Sequence, residues 1–368
     1  MSALPPPATA HPRPAPVVRS SALGWLRANL FSGWKSTLVT LAILWLAIGI
    51  VPDIYQWAVG NAVFAPDFMA CRAVAREGAC WGMIAEKSRL IFFGRYPYLE
   101  QWRPLAATAI MVGALVISCY RRFWRKWLVL LWAAALGAFL VLMRGGVFGL
   151  SYVETNLWGG FPLTLMLTVV GLFFALPLAV LIALGRRSKL KAIRVFCVFY
   201  VEIIRGIPLI TVLFTASFLF PLFLPPQYNI DVLLRIQIGI ILFTAAYLAE
   251  TIRGGLQAIP KGQYEAAASM GLGYWQTVRK IILPQALRIV VAPMVNTFIS
   301  TFMDTSLVTV VSLYDLTGAL RLALGDPNWK AFFIEGYLFI AMIYLVCCYG
   351  MSRYSQWIEK RINMRQSR

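Results

Sequence analysis

Eight uncharged stretches, most of them strongly apolar, divide the chain at intervals along its length. A helix that spans a bilayer needs about 20 mostly apolar residues, with a range of about 17–25. The first four stretches and the last are long enough or nearly so, the fifth is longer than one span needs, and the sixth and seventh are short. The pattern predicts an all-α polytopic membrane protein with about eight transmembrane helices. The stretches are 36–52, 104–120, 127–143, 155–185, 206–230, 236–249, 289–303 and 336–352.

The composition agrees with this pattern and removes several kinds of site. Of the 368 residues, 60% are hydrophobic and only 13% are charged, about half the charged fraction that is usual in a soluble domain. The one histidine, His11, lies in a Pro-rich segment, so we expect no histidine metal site and no His-based triad. No Gly-x-x-x-x-Gly-Lys-Ser/Thr loop is present, and nucleotide binding through that device is not expected.

The net charge of +19 predicts an orientation in the membrane. If all eight stretches span with the N-terminus inside, five cytoplasmic segments hold 23 of the 34 Lys and Arg residues and the outside segments hold nine. This bias follows the positive-inside rule and predicts cytoplasmic N- and C-termini. Short basic clusters such as Arg121–Lys126 then contact lipid headgroups, and no nucleic-acid partner is expected.

Three parts are predicted along the chain. Residues 1–35 form a disordered, Pro-rich cytoplasmic tail. Residues 36–154 form a three-span extension with a periplasmic loop at 53–103, and residues 155–368 form a five-span unit with a cytoplasmic loop at 254–288. Cys71 and Cys80 lie in the periplasmic loop, where an oxidising compartment favours a disulfide, although spacing alone leaves two free thiols open.

The cytoplasmic loop carries the most informative motif. We predict a helix over 262–270, a sharp turn at the glycines that follow, and a second helix over about 274–283 that ends at a proline. Small side chains would let the first helix enter a groove on a partner, and an ordinary amphipathic interfacial helix is the alternative. The motif is Glu265-Ala266-Ala267, three residues, Gly271, nine residues, and Ile281-x-Leu283-Pro284.

This motif resembles the coupling loop of ABC importer permeases. Residues 155–362 as a whole resemble the polar amino-acid (histidine/glutamine-type) permease family, and the extension resembles that of the long M-type permeases of general L-amino-acid importers. Met303 departs from the pattern, because many relatives carry Lys there. The further motifs are WGGFPLTL at 158–165, YVEIIRGIPL at 200–209, AYLAETIRGGL at 246–256, LPQA at 283–286 and DTSL at 304–307.

The resemblance implies a five-helix type I ABC importer core in the bacterial inner membrane. The chain would be the permease subunit of an ATP-driven, binding-protein-dependent importer of polar L-amino acids such as Glu, Gln and Asp. Its partners would be an ABC ATPase dimer that holds ATP and Mg, a second homologous permease and a periplasmic binding protein, with no cofactor and no catalysis on this chain. The alternatives are an ion-coupled secondary transporter or channel and, with less support, a membrane enzyme.

Placing a charged side chain within a membrane span costs free energy, so such residues are expected to have a role. Glu202 with Arg205, and Glu250 with Arg253, are spaced i, i+3 and are predicted to pair on one helix face. The pairs either neutralise charge between helices or transmit motion from the ATPase to the gate.

Asp304 ends a polar stripe on one predicted helix face and has no basic residue within four positions. An inward stripe that ends in a carboxylate suits a zwitterion, whereas a cap or an ion pair at the outer mouth is the alternative. The resemblance adds Tyr247 to the pathway, and a threonine in the fifth span is a weaker candidate. The candidate pathway residues are Asp304, Thr301, Ser300, Thr297, Tyr247 and Thr211.

Overall fold

The computed structural model describes residues 21–74, 77–123, 127–225, 227 and 230–366, most of them in helices. Residues 1–20, most of the predicted tail, lie outside the described part. The α-helices are α1 (Ala22–Asn29), α2 (Trp34–Tyr55), α3 (Phe68–Val74), α4 (Gly82–Phe93), α5 (Trp102–Cys119), α6 (Trp127–Arg144), α7 (Gly160–Gly185), α8 (Lys191–Gly206), α9 (Leu209–Phe214), α10 (Val232–Gln257), α11 (Lys261–Ser269), α12 (Tyr274–Thr277), α13 (Leu283–Ile289), α14 (Val291–Asp304), α15 (Leu316–Ala323) and α16 (Phe333–Gln366).

In the described part of the chain, seven helical segments are long and apolar enough to span a membrane, and a bent pair is an eighth candidate. The bent pair is α8 with the helical segment Leu209–Phe223, which meet at 105°. Pro208 lies at this break, where it has no N–H to continue the helix. The prediction of about eight spans is therefore confirmed, with the fifth broken rather than straight.

The chain divides into two compact units. The described part of the first is 21–62 with 77–79, and it contains α1 and α2. The prediction of a disordered tail to residue 35 is wrong for Ala22–Asn29. Ser21 caps this helix by accepting a hydrogen bond from the Gly24 N–H at 3.1 Å, and the segment contains no proline.

The second unit contains residues 63–75 and 80–368, so most of the predicted extension belongs to the same compact unit as the core. Its centre is the pair α7 and α10. Small side chains let these helices approach closely, and the alanines of both helices are fully buried in one hydrophobic cluster. We call the Val232 end of α10 the outer end and the Gln257 end the inner end, as the charge bias predicts.

A helical hairpin, α3 and α4, packs on the outer part of the second unit. The disulfide between Cys71 and Cys80, with Cα atoms 5.3 Å apart, joins its two sides. The backbone N–H of Cys80 donates to Glu335, a buried carboxylate near the start of α16, at 2.9 Å. Lys87 on α4 forms an ion pair with Asp326 at 2.8 Å, so the hairpin is tied to the segment around α15 by polar bonds and by apolar packing.

Candidate functional site

The predicted cytoplasmic motif forms a short helix with a glycine turn. α11 begins after Pro260 and ends at Ser269, and Gly271 has a φ of +72°. The N–H of Leu272 donates to Ala267 and the N–H of Gly271 donates to Ala268, which closes the helix C-terminus. An L residue other than glycine is strained at this φ, so the structure explains why glycine occupies this turn.

One face of α11 is anchored and the other is free. Ala267 is buried, whereas Glu265, Ala266 and Met270 are exposed. Arg187, just after α7, donates to the hydroxyl of Tyr264 at 3.0 Å and to the carbonyl oxygen of Leu256 at 2.8 Å. The bonds from Arg187 therefore hold α11 in place at the inner end, with its other face exposed.

The exposed patch continues into α12. Tyr274 and Trp275 are 57% and 67% exposed, and Met270, which follows the last residue of α11, is 78% exposed. Large apolar side chains exposed beside a charged one are typical of an interaction surface rather than of a free protein surface. We call Glu265, Ala266, Met270, Tyr274 and Trp275 the inner patch.

Pro284 does not end the second helix, so that prediction is wrong. The chain continues helically through α12, a π-helical turn at Val278–Ile282 and α13. Pro284 stands in the first turn of α13, and the wider π turn before it accommodates its missing N–H. Ile282 and Ala286 are buried against α10, while Ile281 and Leu283 are half-buried.

Glu250 is the centre of a charged cluster at the inner end of α10. Its carboxylate lies 2.6 Å from Arg186, 2.5 Å from Arg253 and 3.8 Å from Arg205. The expected pair of Glu202 with Arg205 is not found among the described residues, and that prediction is wrong. Glu202 instead lies 2.8 Å from Arg186, because the turn after α7 brings this guanidinium between α8 and α10.

The predicted polar stripe lines a cavity of about 370 Å³ between α10 and α14. Thr244 and Thr301 approach across it, with their hydroxyl oxygens 3.4 Å apart. Asp304 lies at one end, and its carboxylate has no hydrogen bond or ion pair with any described residue. Thr211 is exposed on α9 and is not part of the cavity. The lining residues are Phe243, Thr244, Tyr247, Asn296, Thr297, Ser300, Thr301 and Asp304.

Three residues of these sites are not among those that the sequence predicts. Phe243 and Thr244 lie one turn before Tyr247 on α10, and Phe243 packs against Tyr247 with ring centroids 4.9 Å apart. Helical spacing from Tyr247 could have found both. Arg186 is one of five basic residues in 186–194, one of the five predicted cytoplasmic segments, and its contact with Glu250 depends on the packing of α7 on α10.

The sequence matches a known family over residues 175–364, described as "Binding-protein-dependent transport system inner membrane component". The inner membrane amino-acid ABC transporter permease protein YhdY of Escherichia coli (strain K12) is 44% identical over 358 residues, which are 96% of each chain. The chain belongs to this permease family. The permease is also 36% identical to the glutamate/glutamine/aspartate/asparagine transport system permease protein BztC of Rhodobacter capsulatus, over 95% of this chain and 96% of that protein.

A solved structure supports the fold. The permease resembles a chain from the "Crystal structure of an amino acid ABC transporter with histidines" with a TM-score of 0.50 and 31% identity, over 55% of this chain and 92% of that chain. The fold is thus that of a type I ABC importer permease.

These matches establish the role of the chain. It is the multi-pass inner-membrane permease subunit of an amino-acid ABC importer and has no catalytic role, because the ATPase is a separate subunit. An importer of this kind works with an ATPase and a binding protein.

Proposed function

We propose that the permease imports polar L-amino acids, such as Glu, Gln and Asp, through the cavity between α10 and α14. The observation that carries this proposal is the unpaired carboxylate of Asp304 at the end of a polar wall. A desolvated carboxylate without a partner favours a cationic ligand group, and the α-ammonium of an amino acid supplies one. Thr297, Ser300 and Thr301 offer hydroxyl groups to the rest of the substrate.

The likeness to BztC, which is named for glutamate, glutamine, aspartate and asparagine, supports a polar substrate class. The full length of that likeness includes the extension, so the extension also belongs to the proposed function. The other walls of the pathway would come from a second homologous permease chain.

At the inner end, the proposed partner is a dimer of ATPase subunits that holds ATP and Mg. The inner patch would dock on it, since its exposed small, aromatic and thioether groups match a groove rather than open solvent. Residues that brace the patch, from Ala267 through Gly271 to Ile281, Leu283 and Pro284, would transmit the motion of the ATPase. The cluster around Glu250 would hold α7, α8 and α10 together during this motion, and the bond from Arg187 to Tyr264 would join α11 to the end of α7.

Substrate competition in proteoliposomes tests the proposed substrate class. The complex is reconstituted with its binding protein outside and ATP inside, and uptake of labelled L-glutamine is challenged with each L-amino acid. We expect competition by polar amino acids and little by large apolar ones. Equal competition by all apolar amino acids would contradict the substrate class.

Replacement of Asp304 by Asn tests the pocket. Loss of a charge-assisted hydrogen bond costs about 1.5–3 kcal/mol, so the KM for uptake should rise at least about tenfold. Asp326→Asn is the matched control, because this acid lies in an outer loop and pairs with Lys87. An unchanged KM for Asp304→Asn would remove this residue from the pathway.

A further inference from the structure

A second cavity lies at the outer end of the helices that enclose the first. Its volume is about 440 Å³, and we call it the outer cavity. On one side it is lined by Asp231–Leu233 at the start of α10. On the other side it is lined by Val311–Leu313, at the end of the 3₁₀ helix that follows α14. Both cavities are therefore lined by residues of α10 and by residues of the segment 296–313, which contains α14 and the 3₁₀ helix after it.

The two cavities share one face of α10. Leu233 lines the outer cavity and Thr244 lines the inner one. They are 11 residues apart, which is close to three helical turns and corresponds to about 16 Å along the axis. Between them Ile236 and Ile240 are 0% and 3% exposed, so the path along this face is closed in this conformation.

Opposite charges line the outer cavity without neutralising one another. Arg95, Glu154 and Asp231 are all exposed there, and none of them forms an ion pair with a described residue. Unpaired charges of both signs around one cavity match a ligand that carries both signs itself.

Local bonds hold these charged groups in place. Arg95 donates one bond to the carbonyl oxygen of Asn156 at 2.8 Å and stacks on the ring of Tyr314 at 4.7 Å, which leaves other guanidinium donors free. The carboxylate of Glu154 accepts one bond, from the Asn156 side chain at 2.8 Å. Asp231 caps α10 through the N–H of Leu233 at 2.8 Å and accepts a bond from the Thr155 hydroxyl.

We propose that the outer cavity is a second amino-acid site, in which Arg95 binds the α-carboxylate and Glu154 and Asp231 bind the α-ammonium. The proposal rests on the amino-acid import already established and adds a first site, above the closed segment of α10, for substrate on its way inward. A bidentate contact between the Arg95 guanidinium and the α-carboxylate would fix the orientation of the amino acid in this site.

Gln237 lies on α10 between the levels of the two cavities and lines neither of them. It is 4% exposed, its amide N–H donates to the carbonyl oxygen of Leu167 at 3.3 Å, and its own carbonyl oxygen has no hydrogen-bond partner among the described residues. It lies one turn inward from Leu233. An ammonium group that leaves the outer cavity loses water and needs an acceptor, which this oxygen provides.

Direct binding to the complete permease–ATPase complex tests the outer site. The complex is placed in lipid nanodiscs without binding protein, and bound ³H-labelled L-glutamine is counted per permease by equilibrium dialysis. The variants are Arg95→Gln and Glu154→Gln, and Asp304→Asn reports on the inner cavity separately. Lys330→Gln is the control, since this exposed cation belongs to the outer part of the chain but does not line the cavity.

We expect Arg95→Gln and Glu154→Gln each to weaken one of the wild-type binding events by about tenfold or more, and Asp304→Asn to weaken a different one. Arg95→Gln should also bind L-glutamine and its methyl ester equally at the outer site, because the partner of the carboxylate has been removed. Lys330→Gln should bind as the wild type does.

Unchanged glutamine binding in both outer variants, or no glutamine binding by the wild-type complex, would overturn the outer site. A third result would also overturn it: Arg95→Gln and Glu154→Gln weaken only the affinity of the complex for the binding protein. The last result would make these charges a docking surface. Uptake with binding protein and ATP is measured in parallel, so failure of the outer site is distinguished from failure of the import function.

Discussion

Replacement of Glu250 by Gln removes the only carboxylate that touches three guanidinium groups in the described part of the permease. Glu250 is 23% exposed and Arg186 is 10% exposed, so both charges are largely withdrawn from water. The Glu202→Gln variant is a matched control, because Glu202 contacts the same Arg186 but is 59% exposed.

The expected cost follows from this difference in exposure. Removal of one partner from a buried ion pair costs about 3–5 kcal/mol. Partial exposure of Glu250 and the remaining Glu202–Arg186 pair lower this figure, and we expect about 2–3 kcal/mol. An exposed pair contributes about 0–1 kcal/mol, which bounds the cost of Glu202→Gln.

Thermal unfolding of the whole complex in mild detergent measures both variants at one scan rate. At about 2 °C per kcal/mol for a chain of this size, Glu250→Gln should lower the Tm by about 4–6 °C and Glu202→Gln by about 2 °C or less. Equal Tm values for the two variants would refute the claim that Glu250 organises this cluster.

Three further outcomes are expected. Gly271→Ala should reduce ATP-coupled uptake severalfold, because the φ of this residue is left-handed and strains any residue other than glycine. Gly262→Ala is the control, since an added Cβ meets open space at both positions and the φ of Gly262 is not left-handed. Equal uptake by the two variants would contradict the role of the turn. Gly255→Ala should destabilise the complex by about 1–3 kcal/mol, since the added Cβ would lie 2.7 Å from the carbonyl oxygen of Ala286. Gly254→Ala is the control, because its Cβ meets open space. Equal Tm values for the two variants would argue against this close contact. Alkylation of the denatured chain should label four cysteines without reductant and six with it, by mass; six labels without reductant would exclude the disulfide.

Patterns with a short range in sequence were sufficient for much of the fold. The uncharged stretches correspond to seven helical segments and the bent pair, because span length depends only on local hydropathy. The face shared by Thr297, Ser300, Thr301 and Asp304 follows from helical periodicity, and the structure places all four along one cavity.

Features that depend on tertiary packing were not predictable in this way. Glu202 meets Arg186 rather than Arg205, because the turn after α7 places the Arg186 guanidinium between α8 and α10. Pro284 was expected to end a helix, yet the π turn before it absorbs the missing N–H. Thr211 shares no wall with the cavity, since the bend at Pro208 turns α9 in another direction.

The central claim is that this chain moves amino acids only as part of an ATP-driven complex. The most direct measurement is uptake of labelled L-glutamine into proteoliposomes that contain the purified complex, with binding protein outside and ATP inside. Uptake should require both, and it should be lost when Glu265→Lys breaks the inner patch while the chain stays in the membrane. Uptake driven by an ion gradient without ATP, or unchanged uptake by Glu265→Lys, would contradict the account.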